Sequence, residues 1–205
     1  AGWGCLQGST ESARRSSVIA IVNEIRLLFE NSGSSMYAGE PVTQTEHALQ
    51  AAELGRQAGA PDPLVAAALL HDIGHLLHDL GEDIAQKGVD DEHERRGAEW
   101  LAGCFPPSVS QPVLLHVMAK RYRCAVDPAY LDRLSPASLL SLQLQGGPLD
   151  EQQASNYRAD PFYEDSLLLR SWDEAAKVPG EETESLEFFL QYVSRVAVGR
   201  SENSG

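Results

Sequence analysis

Apolar residues recur at intervals of three and four positions along most of this chain, which is the period of an α-helix. Between residues 16 and 30, for example, Val18, Ile21 and Ile25 fall on one side of a helix. No segment shows the alternating β-branched pattern that is typical of strands. The pattern therefore predicts an all-α protein.

Local signals place the ends of several helices. Thr43 and Glu46 have the spacing of a capping box, which predicts a helix over 44–58. Asp62 before Pro63 predicts the N-cap of a helix that continues into residues 71–72. Further helices are predicted over residues 92–101, 108–122, 136–144 after a Ser135 cap, 162–176 and 183–198, with a turn at 146–148.

The length of 205 residues favours a single domain with one buried core. We place this domain at residues 16–198, between a flexible N-terminus at 1–15 and a flexible C-terminus at 199–205. The oligomeric state is left open by these patterns.

Composition excludes several classes of partner. A net charge of −14 argues against nucleic-acid binding, which needs a basic surface, and no apolar run reaches the roughly 20 residues of a membrane span. The three cysteines lack the paired spacing of a disulfide framework, and the N-terminus does not resemble a signal peptide. A cytoplasmic location is expected, and an anionic substrate would need a local positive cluster.

Histidines are the first candidates for chemistry. Four of the six, His47, His71, His93 and His116, follow one another at intervals of 22 to 24 residues on predicted helices. This spacing suits neighbouring antiparallel helices that point their side chains into one bundle core. By contrast, His78 lies near a predicted helix end and is interpreted as structural or solvated.

The densest signal is the pair His71-Asp72, which interrupts an otherwise apolar helix. A buried carboxylate needs a strong cationic partner, and imidazole with carboxylate oxygen suits zinc, iron or manganese. One metal would leave some histidines unused. We therefore predict that Asp72 bridges two metals, one held also by His47, His71 and Asp173, the other by His93 and His116.

Two further side chains lie one helical turn after predicted ligands. His75 follows His71, and Lys120 follows His116, so both are expected to face the site. A lysine beside two cationic metals is repelled unless an anion lies between them. The pair therefore predicts an anionic group on the substrate.

Several short motifs together resemble one family: Tyr37-x-x-Glu40, Gln44-x-x-His47, His71-Asp72-Ile73-Gly74-His75, His116-x-x-x-Lys120, Gln145-Gly146-Gly147-Pro148 and Arg170-Ser171-Trp172-Asp173. The His…His-Asp…Asp arrangement is that of the HD-domain superfamily, a helical bundle. The additional motifs resemble its mixed-valence diiron oxygenases of organophosphonate catabolism, which act on 1-hydroxy-2-aminoethylphosphonate or its trimethylammonio variant. Inositol oxygenase is a more distant relative of these enzymes.

This resemblance implies an Fe(II)/Fe(III) pair held by the six residues above. It implies oxygen-dependent cleavage of a carbon–phosphorus bond, which releases phosphate and glycine or its N-methylated analogue, betaine. The family's phosphonate pocket matches His75, Lys120, Ser138, Ser141 and Arg170. Its loop for the substrate amine matches Tyr37 and Glu40, and the tyrosine can occupy an open iron position. We predict that His75, Lys120 and Tyr37 are catalytic.

An aromatic cage would favour a trimethylammonium group. The residues that could complete such a cage beside the Tyr37 loop are Tyr122, Tyr157, Tyr163 and Trp172.

Two alternatives use the same ligands. The first is an HD-type phosphohydrolase that attacks a nucleotide or phosphomonoester with metal-bound water. The second is a ligand sensor or iron-storage module without enzymatic activity. Tyr37, Glu40, Lys120 and Arg170 favour the oxygenase, because hydrolysis requires neither an amine-recognition loop nor a residue that covers an oxygen site.

Overall fold

The computed structural model describes residues 5–37, 39–77 and 87–200, with side chains described from residue 11. Within these ranges the protein consists of eleven α-helices, and its only β-pairing is an isolated bridge between Met36 and Thr43. The all-α prediction is therefore confirmed. The helices are α1 (Cys5–Ser32), α2 (Gln44–Gln57), α3 (Asp62–Leu70), α4 (Ile73–Leu76), α5 (His93–Ala102), α6 (Pro107–Val126), α7 (Pro128–Arg133), α8 (Pro136–Leu144), α9 (Glu151–Arg158), α10 (Tyr163–Ala175) and α11 (Leu186–Val196).

Several helix starts follow the local signals in the sequence. The capping box of α2 is present, because Thr43 Oγ1 accepts a hydrogen bond from the Glu46 N–H and the Thr43 N–H donates to Glu46 Oε2. Helix α8 begins after Ser135, whose hydroxyl accepts from the Ser138 N–H. Helix α1 begins at Cys5, upstream of the predicted start. His78, residues 1–4 and residues 201–205 lie outside the described part of the chain.

The helix before the His71-Asp72 pair differs from its prediction at both ends. Pro61, not Asp62, is the N-cap, and Asp62 is the first helical residue. Its carboxylate instead accepts a hydrogen bond from Arg195 at 2.5 Å. At the other end, α3 stops at Leu70, and the chain turns through His71 and Asp72 before α4 begins. The ligand pair thus lies in a break between two helices rather than within one.

Helix α3 forms the centre of the molecule. Residues 64–70 are all buried, and α3 packs against α2, α6, α10 and α11. Helix α6 packs in turn against α5 and α10. Helices α2 and α6, which pack against α3, and helix α5, which packs against α6, each carry a histidine that lies close to Asp72.

Two glycines allow α4 and α5 to approach closely. A Cβ atom on Gly74 would lie 2.0 Å from the carbonyl oxygen of His93, and one on Gly97 would lie 3.2 Å from the Gly74 nitrogen. Any larger residue at position 74 would push the helices apart. Gly74 therefore fixes the distance between the His71-Asp72 break and the start of α5, where His93 lies.

Three short helices, α4, α7 and α9, were not predicted. Helix α9 carries a recognisable signal, since Asp150 and Gln153 form a second capping box. In the described part of the chain, every helix is too short or too polar to cross a membrane.

Candidate metal centre

Six buried side chains from five parts of the fold meet in one place. His47 comes from α2, and His71 and Asp72 come from the break between α3 and α4. The remaining three are His93 at the start of α5, His116 in the middle of α6 and Asp173 near the end of α10. These are the six predicted ligands.

The first group contains two histidines and two carboxylates. Nε2 of His47 lies 3.1 Å from Nε2 of His71. Oδ2 of Asp72 is 3.6 Å from the first nitrogen and 3.4 Å from the second, and Oδ1 of Asp173 is 3.4 and 3.8 Å from them. Four donor atoms, from α2, from α10 and from the break between α3 and α4, therefore converge on one small volume.

The second group uses the other oxygen of Asp72. Nε2 of His93 lies 3.3 Å from Nε2 of His116, and each nitrogen is 3.4 Å from Asp72 Oδ1. The two carboxylate oxygens of Asp72 thus face different histidine pairs. This is the geometry that a bridging carboxylate between two metals requires.

Hydrogen bonds fix all four imidazole rings with Nε2 towards the cluster. Nδ1 of His47, His71 and His116 lies 2.8, 2.8 and 2.7 Å from the backbone carbonyls of residues 176, 68 and 113. Nδ1 of His93 lies 3.0 Å from Asp91 Oδ1. Because carbonyl and carboxylate oxygens only accept, Nδ1 carries the proton and the Nε2 lone pair is available.

Unpaired oxygens show that these residues fit a cation. Oδ1 and Oδ2 of Asp72 and Oδ1 of Asp173 are buried, and no described residue donates a hydrogen bond to them. Buried anions facing nitrogen lone pairs need positive charge between them. Two metal ions would supply this positive charge, and the nitrogen and oxygen atoms of the six side chains would be their ligands.

His75 lies at the edge of this cluster. Its ring stacks on His93 with centroids 4.1 Å apart, and a ligand atom of His75 is within 4.8 Å of those of Asp72 and His93. However, its side chain is 20% exposed whereas that of His116 is 3% exposed. His75 therefore faces the open side of the cluster, as expected for a residue that contacts substrate.

Asp91 was missed by the sequence analysis. Its two oxygens hold two histidines, Oδ1 at 3.0 Å from His93 Nδ1 and Oδ2 at 2.7 Å from His75 Nδ1. Burial raises the pKa of Asp91, but the contacts with His75 and His93 lower it by more. The net pKa is below its usual range, so the carboxylate is an anion. One sequence feature could have identified Asp91, namely its position two residues before the candidate ligand His93. Asp91 orients one predicted ligand and one predicted substrate residue together.

Replacing Asp91 by asparagine is expected to weaken the second metal position by about 10- to 100-fold, because the amide cannot accept from both rings. Metal titration of the purified variant measures this loss, and the His47–His71 group should keep its affinity. Asp90→Asn is the matched control, since Asp90 accepts a backbone hydrogen bond from Glu92 that asparagine can also accept. Equal weakening of both metal positions would contradict the role given to Asp91.

The cluster opens into a cavity of about 770 Å³. All seven predicted substrate residues line it, together with three of the predicted ligands. Those seven are Tyr37, Glu40, His75, Lys120, Ser138, Ser141 and Arg170.

One wall of the cavity is cationic. Lys120 is buried and donates to Ser141 Oγ at 2.9 Å, and burial together with Arg170 lowers its pKa to about 7. Arg170 donates through Nε to Tyr130 Oη at 3.0 Å and through Nη1 to Asp173. Its buried Nη2 has no hydrogen-bond partner among the described residues. This wall provides the local positive charge that an anionic substrate group needs.

Tyr37 and Glu40 form another part of the cavity lining. The Tyr37 ring stacks on His47 with centroids 3.8 Å apart, and burial with the nearby Asp72 and Asp173 charges raises its pKa well above its usual value. Glu40 Oε1 accepts hydrogen bonds from Ser135 and from Lys177, a residue that the sequence analysis did not single out.

The aromatic cage predicted as a possibility is not formed. Tyr122, Tyr157 and Tyr163 pack against one another with ring centroids 5.0 to 5.5 Å apart, and Trp172 packs against Gly55. Apart from histidine, Tyr37 is the only aromatic residue among the described residues that line the cavity.

Comparison with known proteins agrees with this geometry. The model of the HD domain family matches residues 45–137. The chain is 41% identical over 176 residues to a [1-hydroxy-2-(trimethylamino)ethyl]phosphonate dioxygenase (glycine-betaine-forming) from Leisingera caerulea, covering 86% of this chain and 90% of the relative. It is 43% identical over 161 residues to a hydroxymethylphosphonate dioxygenase from Gimesia maris, covering 78% and 80%. An uncharacterised protein of Acanthamoeba polyphaga mimivirus is 32% identical, covering 86% and 84%.

Proposed function

This chain belongs to the HD-domain family of phosphonate oxygenases, and we propose that it cleaves the carbon–phosphorus bond of a 1-hydroxyphosphonate with dioxygen and a pair of iron ions. One observation carries the proposal. Three residues of the two-metal donor set, His93, His116 and Asp173, line the same cavity as the cationic wall of Lys120 and Arg170, so one substrate can reach both.

We assign two iron ions in the Fe(II)/Fe(III) state to this donor set. His47, His71, Asp72 and Asp173 would hold one, and Asp72, His93 and His116 would hold the other. Imidazole and carboxylate ligands without thiolate suit iron. When bound, the pair would supply Lewis-acid activation of the substrate hydroxyl and the electrons that activate dioxygen.

The protein's own residues would position the phosphonate. Lys120 and the unpaired Nη2 of Arg170 offer charge-assisted hydrogen bonds to its oxygens, with Ser138 and Ser141 beside them. His75, held by Asp91, borders both this wall and the metal cluster.

Tyr37 would control access to the cluster. The Tyr37 ring covers one face of the His47 ring. A substrate that reaches the donor group of His47 must therefore lie beside Tyr37 or displace it. The high pKa of Tyr37 keeps its hydroxyl protonated and able to donate. We assign it a catalytic role together with His75 and Lys120.

The overall reaction balances without an added reductant. The 1-hydroxyphosphonate and one dioxygen give a carboxylic acid and inorganic phosphate. The C1–H and C1–P bonds break, and C1 is oxidised as dioxygen is reduced. With an aminomethyl or trimethylammoniomethyl substituent on C1, the acid is glycine or betaine.

The test is anaerobic loading with iron, mild oxidation, and EPR spectroscopy with and without a 1-hydroxyphosphonate. We expect a mixed-valence signal that shifts when substrate binds, followed by phosphate release only after dioxygen is admitted. The competing hydrolase hypothesis predicts phosphate release from phosphomonoesters without oxygen. That result would contradict the proposed oxygenase function.

Lys120→Met is expected to raise the KM for the phosphonate by about 100-fold, since a buried charge contact of this kind is worth 2–5 kcal/mol. Iron content should stay at the wild-type level because Lys120 is not a ligand. Steady-state oxygen consumption and iron analysis measure the two quantities. Lys87→Met, at an exposed lysine, is the matched control. Loss of iron from the Lys120 variant would show that its role is misassigned.

A further inference from the structure

Lys177 lies beside the part of the cavity that would receive a substrate amine. It follows α10, one turn after Asp173, and its Nζ is 3.1 Å from Glu40 Oε1 and 3.1 Å from Ser138 Oγ. The same ammonium lies 5.7 Å from the centroid of the Tyr37 ring. The side chains of Lys177 and Glu40 are only 15% and 12% exposed. The ammonium group of Lys177 thus contacts both Tyr37 and Glu40, the two residues that are expected to meet a substrate amine.

A cationic substrate group needs partners that Lys177 already engages. An ammonium or trimethylammonium group is recognised by a carboxylate and by the face of an aromatic ring. Glu40 supplies the carboxylate and Tyr37 the ring, and each contacts Lys177. The described lining of the cavity contains no second tyrosine, tryptophan or phenylalanine. A substrate cation would therefore have to displace Lys177 or lie beside it.

Both outcomes disfavour a cationic substrate. Two like charges in a mostly buried site repel each other strongly, because little water screens them. Displacing Lys177 would break a shielded ion pair and leave its ammonium without Glu40 and Ser138. A trimethylammonium group has no N–H, so it could not replace the hydrogen bond to Glu40. A substrate with an uncharged C1 substituent meets none of these costs.

We propose that Lys177 is a specificity-determining residue that selects 1-hydroxyphosphonates without a cationic substituent and disfavours those that carry an ammonium or trimethylammonium group. This inference rests on the proposed function and names its substrate class. Hydroxymethylphosphonate is the smallest member of the favoured class.

The test compares two substrates, hydroxymethylphosphonate and 1-hydroxy-2-(trimethylammonio)ethylphosphonate, with the iron-loaded full chain. Wild-type protein should give a kcat/KM for the uncharged substrate that is roughly tenfold or more above that for the cationic one. Lys177→Met, which keeps length but removes charge, should move this ratio towards the cationic substrate by a similar factor. Lys177→Arg should keep the wild-type preference, and Lys87→Met should leave the ratio unchanged.

Two further measurements guard against a variant that folds poorly. Lys177→Gln retains hydrogen-bonding capacity towards Ser138 without the charge, and it should shift the ratio in the same direction. Tetramethylammonium chloride should inhibit the Lys177→Met protein more strongly than sodium chloride of equal ionic strength, while wild-type protein should respond equally to both salts.

The outcomes separate the inference from the function on which it rests. A wild-type preference for the cationic substrate, or a ratio that neither neutral variant changes, overturns the role of Lys177 while the oxygenase stands. Failure of iron-loaded wild-type protein to release phosphate from both substrates under oxygen overturns the proposed function, and the inference with it.

Discussion

Asp72→Asn is expected to abolish carbon–phosphorus cleavage and to reduce bound iron to less than one ion per chain. Each oxygen of Asp72 faces a different histidine pair, so the amide would weaken both positions at once. Metal ions contribute several kcal/mol to such reactions, and each 1.4 kcal/mol is tenfold in rate, so activity should fall by about a thousandfold or more. Iron analysis and oxygen-dependent phosphate release measure these effects.

The isosteric change should leave the fold intact, and far-UV circular dichroism is expected to match that of the wild-type protein. Asp132→Asn, at an exposed aspartate on α7, is the control and should keep both irons and full activity. If the Asp72 variant still binds two irons and retains activity within tenfold of wild type, Asp72 does not bridge the metals.

Arg170→Met should lower kcat/KM for the phosphonate by about a thousandfold, within the range expected for losing a buried charge contact worth 2–5 kcal/mol. Arg170 is buried, lines the cavity and holds Asp173 through Nη1, and its Nη2 has no hydrogen-bond partner among the described residues. The variant loses a phosphonate contact and also leaves Asp173 without its cation. Both KM and kcat should therefore change, as steady-state kinetics would show.

Arg170→Lys tests the geometry of the guanidinium group. Lysine keeps the charge but cannot donate along three fixed directions, so it should recover only a small part of the activity. Arg133→Met is the matched control, because Arg133 also contacts Tyr130, at 5.9 Å from the ring centroid, but is exposed and does not line the cavity. Full activity in the Arg170→Met protein would rule out the phosphonate contact.

Local sequence signals predicted most of the helices, because they depend on neighbours within a few residues. The periodic apolar residues of α1, the capping box of α2 and the Ser135 cap of α8 each act within about one helical turn. The short helices α4 and α7 were missed because six or fewer residues carry little periodicity. Asp62 was misplaced as a cap because its side chain pairs with Arg195, which is distant in the sequence.

The six proposed ligands could be chosen from the sequence because histidine and aspartate at apolar helical positions are costly unless they share a function. The sequence determined which residues were available and that four of the histidines recur at intervals of 22 to 24 residues. It did not determine that the two oxygens of Asp72 would face separate histidine pairs. That arrangement depends on the break after Leu70 and on the close approach that Gly74 allows.

The tertiary structure alone decided the contacts of Asp91 and Lys177. Asp91 joins His75 to His93 because α4 and α5 lie against each other. Lys177 reaches Glu40 although 137 positions separate them in the chain. Periodicity and capping describe short-range order, whereas such pairings arise only when packed helices bring distant side chains together. The sequence by itself therefore determined an all-α fold and a set of candidate metal ligands, and packing decided how those side chains are oriented and which charged groups line the cavity.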